Sequence, residues 1–201
     1  MPKKSGLVLI ALGLGLVLLA LALVGFNRAQ NERARQAAQS LVEQIRQPPP
    51  PDPSAQPGSS APADEQPPQP SALARQDCLG VLEIPALQKE LPILSDWNDA
   101  KLKIAPCCQF GAAETGDFVI AGHDYKSHFG GLDRLAAGDA VTFTALDGTE
   151  YHYQVGQCRI LEPTETEAVQ NSGYELVLYT CTYTGAQRIA AFCSQVSDPG
   201  E

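Results

Sequence analysis

The apolar and polar positions divide the chain into four regimes. Leu7 to Phe26 holds only Leu, Val, Ile, Ala, Gly and Phe, twenty residues without a charge. That is about the length a helix needs to cross the hydrocarbon core of a bilayer. Ala20-Leu21-Ala22 has the small-x-small form of a signal cleavage site. Signal peptides, however, carry apolar cores of roughly 7–15 residues, so the longer run predicts an uncleaved transmembrane anchor. Asn27 to Gln47 is rich in Ala, Gln, Arg and Glu, with Leu41, Val42 and Ile45 spaced for one helical face. It predicts a polar helical neck. Pro48 to Pro70, with its Pro48-Pro49-Pro50-Pro51 run, is a Pro-rich spacer that builds no core.

From Asp77 the period changes to that of short strands. Leu79 to Pro85, Leu91 to Leu94, Asp117 to His123, Ala140 to Leu146 and Tyr151 to Leu161 are apolar extended runs. The last two flank Asp147-Gly148, a strong hairpin signal. Trp97 to Leu102 and Gly131 to Leu135 each predict a helical turn. Tyr174 to Cys181 and Arg188 to Phe192 form a closing hairpin around Gly185. The expected class is all-β with short helices, a barrel or a sandwich. The expected partition is 1–26 tip and anchor, 27–76 neck and spacer, and 77–201 β-barrel domain.

Composition narrows the partners. The chain has 201 residues and net charge −9. No basic stripe appears, so nucleic acid is not an expected partner. Lys3 and Lys4 on one side of the apolar run nearly balance Arg28, Arg33 and Arg35 on the other. Charge alone therefore leaves the membrane orientation open. The six cysteines show no zinc-like spacing, and neither a metal nor a cofactor is expected.

The candidate chemistry lies at strand ends. His123 closes one predicted strand, Cys181 closes another, and Arg188 opens the strand after it. If the first two strands are neighbours, a thiol, an imidazole and a guanidinium emerge at one rim. These are the parts for acyl transfer through a thioester. The plainer alternative is a strand cysteine followed by a surface arginine.

Leu178-Tyr-Thr-Cys181, with an arginine seven positions on and Ala121-Gly-His123 upstream, resembles the sortase signature. Gly80-Val-Leu-Glu-Ile-Pro85 is similar to the opening strand of sortases. Gly116 to His123 is similar to the strand carrying the family histidine, with Asp117 where asparagine is frequent. Phe129 to Leu135 followed by Gly138-Asp139 resembles the next segment, and an anchor with a spacer also suits the family. The resemblance implies a closed β-barrel of about eight strands. It implies Cys181 as nucleophile, His123 as proton donor and acceptor, and Arg188 as the holder of the substrate carbonyl and oxyanion. The implied reaction cuts a C-terminal sorting motif similar to Leu-Pro-x-Thr-Gly in surface proteins. The acyl part then passes to an amine of a peptidoglycan precursor or of a pilin lysine. The same resemblance implies a single-pass cell-membrane protein with its catalytic domain outside.

The remaining residues point to plainer roles. His128, in Tyr125-Lys-Ser-His-Phe-Gly130, is expected as a solvated loop residue, and His152 as a strand-face residue. Tyr125 and Tyr183 are candidates for lining a groove between the loop after about Cys158 and the Cys181–Arg188 hairpin. Glu162, Glu165 and Glu167 read as a solvated acidic loop rather than a calcium site. With Cys181 set aside, Cys78, Cys107, Cys108, Cys158 and Cys193 allow two disulfides or none. A disulfide-stapled extracellular β-domain with a structural or adhesive role is the alternative from another class.

Overall fold

The computed structural model describes residues 3–46, 77–182 and 185–197, the side chains of 3–11, 27, 30, 31, 34 and 166 excepted. The Pro-rich spacer and Tyr183 lie outside the described residues. The chain divides into two compact units, 1–33 and 34–201.

In the first unit, helix α1 (Lys3–Arg46) begins and carries the apolar run. Among the described residues, no helix is long and apolar enough to cross a membrane. The described side chains of the run, Leu12 to Phe26, are exposed.

The second unit is a closed eight-stranded mixed barrel with strand order β1-β2-β3-β4-β7-β8-β6-β5. The strands are β1 (Cys78–Ile84), β2 (Lys89–Leu94), β3 (Cys107–Phe110), β4 (Phe118–Ala121), β5 (Ala140–Ala145), β6 (Glu150–Leu161), β7 (Leu176–Cys181) and β8 (Arg188–Gln195). Closure leaves no open edge. Two pairings are parallel, β2 with β3 and β4 with β7. The parallel β4–β7 pair determines the site, because parallel neighbours end at the same side of a sheet.

Local chemistry explains the elements. Asp147-Gly148 closes the β5–β6 hairpin: Gly148 takes φ +91°, and the Thr149 N–H donates to Asp147 Oδ1 at 2.9 Å. Asn98 caps the short helix α2 (Asp99–Leu102) by accepting from the Lys101 N–H at 2.8 Å. β1 and β5 approach so closely at Gly80 that a Cβ there would strike the Thr144 carbonyl.

Strand β4 is buried at all four positions. Phe118 and Ile120 join the barrel interior with Leu82, Ile93, Phe143 and Leu178. Val119 joins an outer cluster with Val177, Ala190, Phe192 and Val169, the last from helix α3 (Thr166–Gln170). A strand covered on both faces is a continuous apolar run rather than an alternating one.

Two elements differ from the sequence reading. β3 carries no run long enough to stand out, and it forms because it fills the gap between β2 and β4. The end of α1 is no merely polar neck. Ala37 and Leu41, 4% and 1% exposed, pack with Leu94, Ile104, Ala105 and Cys107, and Ile45 joins them. The barrel supplies the apolar surface that the Leu41–Ile45 face covers.

Candidate active site

Cys181 is the last residue of β7 and pairs directly with Arg188, the first of β8. Directly opposed residues in an antiparallel pair project to the same face, with Cβ atoms about 4.5–5.5 Å apart. On the other side of β7, Ala121 of β4 pairs with Tyr179, and the Gly122 N–H donates to the Tyr179 carbonyl at 3.0 Å. Two residues further along each strand stand His123 and Cys181. All three expected residues therefore leave three adjacent strands at one rim. Each is partly buried.

The His123 end is built by a chain reversal. The Phe129 N–H donates to the His123 carbonyl at 3.1 Å, and Phe129 packs against Gly122. A Cβ on residue 122 would come within 2.6 Å of that ring, so glycine is required by the close approach. The His123 imidazole stacks on Tyr125, with centroids 4.8 Å apart. Burial holds its pKa below the usual histidine value; Lys103 pushes the same way and Asp99 opposes.

On the other side, the Arg188 guanidinium donates through Nη1 to the Gly185 and Gln187 carbonyls, each at 3.2 Å. The hairpin is pinned by the Thr182 N–H to the Gln187 carbonyl at 2.9 Å, and Gln187 reaches Glu162 at 2.9 Å. The arginine is thus anchored over the loop that follows Cys181. Tyr179, two residues before Cys181, donates to Gln109 of β3 across β4. Burial pushes its phenol up to about 12, while the Arg188 charge lowers it. Its hydroxyl stays protonated beside the rim.

His128 corrects the sequence reading. It is fully buried rather than solvated, with Nε2 3.0 Å from the Ile104 carbonyl. The reversal at Phe129 turns it inward, and no local pattern in residues 125–130 announces that. Tyr125 belongs to the His123 stack. His152 is a strand residue facing Thr142 across β5–β6, as its alternation with tyrosines indicates. β6 runs on to Leu161, so the loop beside the hairpin begins at Glu162. There Glu165 Oε2 accepts from the Glu162 N–H at 2.6 Å. Among the described residues, no group of three or more His, Cys, Asp or Glu is placed to hold a metal ion.

All six cysteines are free. That removes the bridges on which a stapled adhesive domain depends. Cys193 and Cys107 are wholly buried, and burial pushes both thiols up to about 12. Cys181 differs from them in its partial exposure and its arginine partner.

The closed mixed barrel thus carries the strand ends that lead to Cys181, His123 and Arg188 on adjacent strands. Residues 82–196 match the sortase domain, and the chain belongs to the sortase family. In fold it is similar to sortase C1 of Streptococcus agalactiae, at 25% identity and TM-score 0.54, covering 63% of this chain and 72% of that one. It is also similar to sortase C of Streptococcus pneumoniae, at 22% identity and TM-score 0.55, covering 86% and 91%. A sortase D5 transpeptidase of Clostridium perfringens aligns at 22% identity and TM-score 0.53, covering 60% and 80%. No curated protein matches the chain. Family membership makes the protein a cysteine transpeptidase in general class.

Proposed function

We propose that the protein is a membrane-anchored sortase that cleaves a C-terminal sorting motif similar to Leu-Pro-x-Thr-Gly and transfers the acyl part to an amine. The observation that carries this reading is the cross-strand pair Cys181–Arg188, with His123 two residues past the end of the parallel neighbour β4. Cys181 Sγ attacks the scissile carbonyl carbon as the thiolate. Arg188 stabilises the oxyanion, and the C–N bond breaks as His123 protonates the departing amine. An incoming amine then attacks the thioester, loses its proton to the neutral His123 and releases the Cys181 thiolate. Water competes at the thioester, so amine binding sets the ratio of transfer to hydrolysis.

Surface proteins are the proposed donors, and a peptidoglycan precursor or a pilin lysine is the proposed acceptor. The uncharged run from Leu7 to Phe26 supports a single-pass anchor, with the barrel on the outer side where such substrates lie. The full chain should partition into membranes, whereas a chain beginning at Ala34 should not.

The deciding experiment offers a peptide library with candidate amines and sequences the ligated products. Ligation by the unaltered chain, lost in Cys181→Ala, is expected. Equal products from both chains would remove Cys181 from the reaction.

A further inference from the structure

His128 is one of two wholly buried polar residues among those described, and it lies behind the proposed acid–base residue. Its ring plane is within 15° of that of His123, with centroids 6.3 Å apart. Tyr125 touches both, at 4.8 Å from His123 and 5.3 Å from His128. A carbonyl oxygen only accepts, so the contact to Ile104 places the proton on Nε2. Nδ1 is then a bare acceptor, buried and without a partner among the described residues. Protonating it would create a cation with one nitrogen facing no acceptor.

The tether is firm at both ends. The His128 and Gly130 N–H groups both donate to the Tyr125 carbonyl, at 2.9 and 2.8 Å. Ile104 sits under Ala37 and Leu41 of α1. The ionic surroundings agree. Burial lowers the His128 pKa to about 4, with Lys89 and His123 pushing the same way and only the Ile104 carbonyl opposing. Lys103 and Asp99 are the charges facing His123.

We propose that His128 is a positioning residue for His123: a tethered neutral ring that, with Tyr125, holds the His123 imidazole and leaves the proton of the pair to His123. This rests on the reading of His123 as the acid–base group.

The test uses the full chain in detergent micelles and two variants. Imidazole nitrogen NMR is tractable because only three histidines exist. His128 should show a proton on Nε2 only and should not titrate between about pH 5 and 9. His128→Gln keeps a donor for Ile104 but removes the ring; His128→Phe keeps the ring and removes the donor. With a peptide returned by the ligation screen, His128→Gln should lower kcat about 10- to 100-fold with little change in KM. It should also move the pH-profile limb set by His123 toward the ordinary histidine value, while His128→Phe leaves that limb in place. Titration of His128 near pH 6.5 in the unaltered chain overturns the proposal. Variants matching the unaltered chain in kcat and limb, alongside an inactive His123→Ala, overturn this proposal alone. An active His123→Ala overturns the catalytic reading and the proposal with it.

Discussion

At the scale of single residues, the rim separates two kinds of basic group. Arg188 presents a planar fork that is already oriented by two loop carbonyls. An ammonium on a flexible stem cannot reproduce that fork. Arg188→Lys should therefore lose roughly 10²-fold or more in kcat, the scale of removing one oxyanion donor; steady-state peptide cleavage measures it. The histidines instead govern pH behaviour. For His128 the folded pKa of about 4 lies below the unfolded value near 6.5. Between these values the unfolded chain binds the proton and the folded chain does not, so stability falls as pH drops from 6.5 toward 4. The loss is at most about 3 kcal/mol. Urea midpoints measured across that range should show it, and His128→Phe should flatten the slope.

At the scale of elements, the docked end of α1 is the least obvious contributor. Leu41 is 1% exposed and sits on the segment that carries the Ile104 carbonyl. Leu41→Ala should cost about 2–5 kcal/mol, the range for a buried leucine truncation. Because Ile104 also holds His128, the same variant should lower peptide cleavage before global unfolding. Thermal melts with activity measured well below the transition distinguish the two effects. The ion pair of Arg46 with Glu90, at 2.5 Å, adds little, since Arg46 is mostly exposed. A helix held mainly by salt bridges would loosen in salt; this one should not.

At the scale of the whole molecule, barrel closure takes the place of covalent staples. The interior cluster from Leu82 through Cys193 runs continuously around the barrel, and all six cysteines are free. Thiol titration of the denatured, unreduced chain should therefore count six, and four would mean a bridge. In the native chain Cys181 should label first, and Cys107 and Cys193, both wholly buried, last.

The sequence by itself determined most strands and the hairpin at Asp147-Gly148, and it singled out Cys181, His123 and Arg188 as candidates for the chemistry. These signals are local: strand periodicity, turn chemistry, and reactive groups at strand ends. Tertiary structure alone decided four things. The parallel β4–β7 register carries His123 and Cys181 toward the same end of the barrel, although 58 positions separate them in the chain. Pairing on both sides makes β3 a strand despite its short, mixed sequence. The reversal at Phe129 buries His128, and the barrel wall gives the Leu41 face of α1 something to cover. In each case the deciding free energy comes from surface that a distant segment removes from water, and a local window of sequence does not contain that partner.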